Sequence, residues 1–76
     1  MNTQIVDVTV RITHYPGEMA ALEEALRNKE GVISVHFHPP RLMLIGFSPE
    51  RISSEEIYGT LKSKGAEAEW VVPDQL

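Results

Sequence analysis

Three histidines and no cysteine define the metal chemistry that this 76-residue chain can offer. His36 and His38 are two residues apart in a segment with strand-like alternation, so their imidazoles would share one face about 7 Å apart. Two imidazoles at this spacing can bind one borderline metal such as Zn(II), Ni(II) or Cu(II), with His14 or Glu18 as further ligands. The alternative is that His36 and His38 are polar side chains that keep an exposed edge strand from pairing.

Composition and charge exclude several other functions. Lys and Arg number 7 against 11 Asp and Glu, a net charge of −4, and the basic residues are scattered. We therefore expect no binding to nucleic acid and no docking on anionic membranes. No apolar run approaches the ~18 residues of a membrane span. The first residues have neither the basic nor the apolar region of a signal peptide, so we expect a cytoplasmic protein.

The spacing of apolar residues predicts a strand, a helix and a strand in the first half. Residues 5–13 alternate between apolar and polar side chains, which is typical of a strand with one buried face. A helical period begins near Met19, with Pro16 suited to the first turn and Gly31 suited to stop the helix. Residues 32–38 alternate again, and the inward set on this second strand is Ile33, Val35 and Phe37.

The second half repeats the order of strand, helix and strand. Residues 42–47 form a largely apolar strand, so some of its apolar side chains must lie on the outer face. Ser53-Ser54-Glu55-Glu56 is a capping box that begins a second helix. Gly65 ends this helix, and residues 66–72 alternate as a fourth strand.

The order βαββαβ predicts one domain over residues 1–76 with an α+β, ferredoxin-like fold. Its four-stranded antiparallel sheet has the order 4-1-3-2, and both helices cover one face. Strands 1 and 2 then run in the same direction, so His14 and His38 would end at the same end of the sheet, ~10 Å apart across strand 3. The outer sheet face or an edge strand would offer a surface to a protein partner or a second copy.

Two segments resemble heavy-metal-associated domains, the module of copper chaperones and metal-transporting ATPases. They are Met19-Ala20-Ala21-Leu22-Glu23-Glu24-Ala25-Leu26 and residues 52–69. The resemblance implies a non-enzymatic binding domain related to metal chaperone and transport domains. In that family the first loop carries a Cys-x-x-Cys pair, and matching the first helix places those cysteines at Tyr15 and Glu18. The resemblance therefore implies a divergent member that cannot form the family's Cu(I) site. Lys64 lies just before the glycine of the loop that, in the family's copper chaperones, packs beside the metal.

The opening of the chain also resembles a second family. Residues 10–22, through Tyr15-Pro16-Gly17-Glu18-Met19-Ala20, are similar to the strand, Pro-Gly turn and helix that begin ACT domains. That resemblance implies a regulatory domain that binds an amino acid or another small effector near Gly17 at a dimer interface.

No set of catalytic residues is expected. The serines do not form a Gly-x-Ser-x-Gly elbow, and the chain has no phosphate-binding glycine loop. The Arg/Asn pair that acylphosphatases of this fold require is not suitably placed. Residues 42–47 lack the aromatic and basic set of RNA-recognition motifs. The sequence therefore predicts a binding domain and not an enzyme.

Overall fold

The computed structural model describes residues 4–71, which contain the six elements in the predicted order. Neighbouring strands are all antiparallel, and the sheet order β2-β3-β1-β4 is the predicted 4-1-3-2 order seen from the other edge. The ferredoxin-like α+β fold is thus confirmed. Its elements are β1 (Val6–His14), α1 (Met19–Arg27), β2 (Val32–His38), β3 (Leu42–Phe47), α2 (Ser54–Ser63) and β4 (Glu67–Val71).

One face of the sheet packs against the two helices and forms the core. Alternate residues of the strands point to this inner face because the side-chain period of a strand is two. The helices supply Leu22 and Leu26 from α1, and Ile57 and Leu61 from α2. The buried strand residues that meet them are Val10, Ile12, Val35, Met43, Ile45 and Phe47. Across residues 4–71, neither helix has the length and apolar character needed to cross a bilayer.

Helix α2 begins and ends as the sequence predicts. Ser53 Oγ accepts from the backbone N–H of Glu56 at 3.1 Å, and Glu56 Oε1 accepts from the N–H of Ser53 at 3.0 Å, which completes the capping box. At the other end Gly65 has a φ of 91°, and Ala66 N–H donates to the Leu61 carbonyl at 3.0 Å. This is the Schellman arrangement, in which a positive φ is needed to turn the chain back.

Helix α1 is shorter than the sequence predicts. It begins at Met19 with Glu18 as N-cap, so Pro16 lies in the preceding loop and not in the first turn. It ends at Arg27, four residues before Gly31. Gly31 was expected to stop the helix, but its φ of 102° serves the entry into β2 instead. A turn over residues 28–30 separates the end of α1 from Gly31, because the chain must reverse before β2 can pair with β3.

An irregularity near the start of β2 corrects the prediction for Ile33. The register shifts between Val32, which pairs with Phe47, and Ser34, which pairs with Gly46. The extra residue of such a bulge turns out of the alternating pattern. Ile33 is consequently 56% exposed and does not face the core. At the other end of the chain, Val72 of the predicted fourth strand lies outside the described residues.

Gly31 and Gly59 provide a matched test of these backbone assignments. A Cβ on Gly31 would lie 2.8 Å from Ile52 Cγ2 and 2.9 Å from Ile52 Cβ at a φ of +102°, whereas a Cβ on Gly59 would meet nothing within 4 Å. We expect Gly31→Ala to lower the free energy of unfolding by about 2 kcal/mol. Gly59→Ala in the helix should raise it by about 0.5–1 kcal/mol. Urea unfolding followed by circular dichroism measures both, and a neutral Gly31→Ala would contradict the assigned backbone.

Candidate functional site

The outer face of the sheet, opposite the helices, carries His36 and His38, the two histidines predicted to bind a metal. Residues that are paired directly across antiparallel strands share a face, so the registers define rows that run across the sheet. One row consists of His36, Leu44, Thr9 and Val71, and the next consists of His38, Leu42, Arg11 and Glu69. These rows explain why β3 is apolar on both faces: Leu42 and Leu44 lie half-buried on the outer face.

His36 and His38 are both exposed on β2, which is an edge strand of the sheet. They are two residues apart, so their side chains point to the same face with a spacing of about 7 Å along the strand. Their neighbours on β3 are Leu44 and Leu42, respectively. The pair therefore has aliphatic side chains on one flank and a free strand edge on the other.

His14 lies at the same end of the sheet as His38 but not beside it. Arg11, and not His14, lies in the row of His38. A shift in register after Ile12 then pairs His14 with Glu67 on β4. Three residues along β1 and two strand spacings give roughly 14 Å between the Cα atoms of His14 and His38. This exceeds the spacing of ~10 Å expected from strand order alone.

The loop between β1 and α1 holds Tyr15 and Glu18, the positions matched to the family's cysteines. Tyr15 is half-buried and packs against the core. Its ring also covers Gly17, where a Cβ would lie 3.0 Å from the Tyr15 hydroxyl oxygen. Glu18 is exposed, and its side chain makes no capping hydrogen bond to the helix. With no cysteine in the chain, these residues do not fit a Cu(I) site, which requires soft thiolate ligands.

Lys64 lies beside this loop, as the topology predicts. It is the C-cap of α2 and is exposed, and its backbone N–H donates to the carbonyls of Thr60 and Leu61. The following residue, Gly65, lies beside Pro16, since a Cβ on the glycine would be 4.0 Å from the proline ring, at the limit of van der Waals contact. The turn after α2 therefore lies next to the β1–α1 loop.

Of the four residues predicted to bind a metal, the structure brings only two together. His36 and His38 share one face, whereas His14 and Glu18 are placed elsewhere on the domain. Within residues 4–71, no group of three or more His, Cys, Asp or Glu side chains is arranged to hold a metal ion. The described part of the chain thus presents two exposed imidazole side chains on one face and not a complete coordination shell.

A cleft that the sequence did not predict lies between the β1–α1 loop and the turn after β2. It has a volume of about 350 Å³, and it is lined by Ile12, Thr13, His14, Tyr15, Met19, Pro40 and Arg41. Arg41 is held there because its Nη1 donates to the Thr13 carbonyl at 3.0 Å and its own carbonyl accepts from Ile12 N–H at 2.8 Å. Sequence spacing gave no signal for this cleft, since only strand pairing brings Arg41 beside residues 12–15.

Solved structures share this fold. A proposed copper-ion-binding protein from Bacillus anthracis str. Ames has a TM-score of 0.79 and 11% identity over 90% of this chain and 100% of that chain. Oxidized MerP from Ralstonia metallidurans CH34 has a TM-score of 0.78 and 16% identity over 88% and 97%. A copper binding domain from HMA7, a P-type ATPase, has a TM-score of 0.76 and 23% identity over 87% and 93%.

These likenesses confirm the fold expected from the heavy-metal-associated resemblance. At 11–23% identity they extend to the fold alone, and not to ligands or metal. No family model matches the sequence, and no curated protein matches it. Membership of the heavy-metal-associated family, as opposed to its fold, stays a prediction.

The alignment of Tyr15 and Glu18 with the family's cysteines can be tested by restoring the motif. We expect the double variant Tyr15→Cys/Glu18→Cys to bind Cu(I) roughly 100-fold more tightly than either single variant, because only the pair supplies two thiolates. Competition with a chromophoric Cu(I) chelator measures this ratio. Equal affinities for the double and single variants would show that the loop lacks the geometry of the family's site.

Proposed function

We propose that this chain is a non-enzymatic binding domain, related to metal chaperone and transport domains, that binds a divalent transition metal through His36 and His38. The observation that carries the proposal is the placement of two exposed imidazoles on one face of β2. The fold supports the metal-related context, since it recurs in a copper binding domain of a P-type ATPase.

The chemistry of the two ligands determines the class of metal. Imidazole nitrogen suits Zn(II), Ni(II) and Cu(II), whereas Cu(I) prefers thiolates and thioethers. Leu42 and Leu44, which lie opposite the histidines, limit access of water from the side of β3. An apolar flank lowers the local dielectric around a bound metal. The exposed outer flank leaves open positions on a metal bound there.

Metal titration with the three histidines as internal reporters tests this function. We expect micromolar Zn(II) to shift the imidazole NMR signals of His36 and His38 and to leave those of His14 in place. Each of the variants His36→Gln and His38→Gln should weaken binding at least about tenfold, because each removes one of two ligands. Cu(II) should bind more tightly than Zn(II) or Ni(II).

The matched control is His14→Gln, which should bind metal like the parent chain. All three histidines are exposed strand residues, so the comparison isolates position from residue type. Unchanged signals from His36 and His38 at micromolar metal would overturn the proposed function. Equal shifts at all three histidines would do the same, since they would indicate adventitious binding to any exposed imidazole.

The cleft beside Arg41 favours a second candidate function, the ACT-like binding of a small effector. Its volume of about 350 Å³ lies at the lower end of the range of about 300–1,000 Å³ that is typical of small-molecule sites. Arg41 offers a planar guanidinium that can bind a carboxylate through two hydrogen bonds. Tyr15 and His14 line the same cleft and add polar groups next to Gly17. An amino acid fits this combination of size and charge.

Addition of single amino acids while backbone amide NMR signals are recorded tests the second function. We expect a binding effector to shift the signals of Thr13, His14 and Tyr15 and to raise the sedimenting mass if it also joins two chains. Arg41→Gln should abolish the shifts, whereas Arg51→Gln, a change at another exposed arginine, should preserve them. If no amino acid moves these signals at millimolar concentration, the cleft is not an effector site.

A further inference from the structure

On the proposed function, the histidine pair on β2 supplies half of the ligands of a four-coordinate metal site. Structural Zn(II) is held by four protein ligands in almost every case, whereas His36 and His38 supply two. Within residues 4–71, no third side chain joins them to make a metal-binding group. The residues of β3 that pair with His36 and His38 are Leu44 and Leu42, whose side chains cannot bind a metal. A site with four protein ligands therefore needs two more from outside the described part of this chain, and the free edge of β2 is a side from which they can approach.

We propose that a second copy of this chain completes the site by pairing its β2 edge antiparallel to the first, so that one metal ion joins the two chains. The inference rests on the proposed function of His36 and His38. A two-fold axis beside Phe37 would place His36 of one copy directly opposite His38 of the other, and the reverse. All four imidazoles would then lie on one face around a common centre, which is the self-complementary contact expected of a symmetric dimer.

The hydrogen bonding of the sheet shows that the edge of β2 is suited to this register. Ile12 N–H donates to the Arg41 carbonyl. Ile12 and every second residue before it on β1 therefore direct their N–H and C=O groups toward β3. By the alternation of antiparallel ladders, His36 and His38 then bond to β3, and Val35 and Phe37 point to the free edge. The Val35 carbonyl accepts from Arg27 Nη2 at 2.9 Å, which agrees with this direction.

Pairing about Phe37 satisfies the backbone groups on both strands. Phe37 of each copy would exchange two hydrogen bonds with Phe37 of the other. Val35 would lie opposite Pro39, which has no N–H to donate, so the Val35 carbonyl can keep its bond to Arg27. His36 and His38 would form the non-hydrogen-bonded pairs, in which opposite Cα atoms approach to about 4.5 Å and side chains lie closest. That spacing brings imidazoles of the two copies within reach of one ion.

The other edge of the sheet is unsuited to the same contact. The outer-face residues of β4 include Glu67 and Glu69, both exposed. A symmetric antiparallel contact through β4 would bring these carboxylates of the two copies together, and like charges placed opposite each other destabilise a strand pair. β2 carries no acidic residue. A symmetric contact through β2 therefore brings no carboxylates together, which makes β2 the edge on which a second copy can pair.

Sedimentation equilibrium of the full chain with Zn(II) as the probe tests the inference. We expect the mass to double from the 8.5 kDa of one chain, with one Zn(II) bound per two chains, and to return to the monomer value after addition of EDTA. His36→Gln and His38→Gln should stay monomeric at the same Zn(II) concentration. His14→Gln should dimerise like the parent chain, and circular dichroism should confirm that all variants are folded.

The NMR titration separates failure of this inference from failure of the proposed function. A chain that stays monomeric while the signals of His36 and His38 shift with Zn(II) would overturn the shared site and leave the proposed function standing. A monomer with no shift at either histidine would overturn both. A dimer that forms without metal, or in the double variant His36→Gln/His38→Gln, would show that metal does not join the copies. Masses above twice the chain mass would contradict a closed two-fold contact.

Discussion

The register of β3 against its two neighbours is the constraint on which the other features of the domain depend. Met43 pairs with Val10 on one side and with Phe37 on the other. Because strand side chains alternate, a slip of one residue in either pairing would exchange the buried set of β3 with Leu42 and Leu44. The fully buried Met43 makes such a slip costly. The same register puts both β2 histidines in water and not in the core.

The loops at the histidine end of the sheet are held by short-range contacts, and the chain has no cysteine that could link them covalently. The Arg41 carbonyl binds the backbone of β1, the Tyr15 ring covers Gly17, and Gly65 turns the chain beside Pro16. These contacts hold the loop geometry of a 76-residue domain that has no disulfide bond. A chain without cysteine thus has the same fold as the copper binding domain of a P-type ATPase.

Features with a local physical cause could be predicted from the sequence, and features that arise from strand pairing could not. The capping box at Ser53 depends on four consecutive residues, and the turn at Gly65 depends on one glycine. The exposure of Ile33 depends instead on how β2 meets β3, and residues 32–38 alone show an unbroken alternation. Likewise, the early end of α1 follows from the turn that precedes β2.

The features of the candidate site also separate into those with a local cause and those that arise from strand pairing. The spacing of His36 and His38 is a property of any strand, so their common face could be predicted before the fold was known. The distance of His14 from them depends on the β1–β3 register and on a bulge opposite β4. The cleft beside Arg41 depends on a turn after two prolines that brings the arginine back to β1. Such long-range placements are fixed by the whole sheet and leave no local pattern.

The single tryptophan of the chain lies on β4, at the opposite edge of the sheet from the histidine pair. The Trp70 ring packs against Tyr58 with 5.7 Å between centroids, and the Tyr58 hydroxyl donates to the Ala68 carbonyl at 3.1 Å. The fluorescence of Trp70 therefore reports on the junction between α2 and β4, whereas the imidazole NMR signals of His36 and His38 report on β2. The two edge strands therefore carry natural probes, Trp70 for fluorescence and His36 and His38 for NMR. Coincident unfolding curves from the two probes would show that the domain unfolds cooperatively.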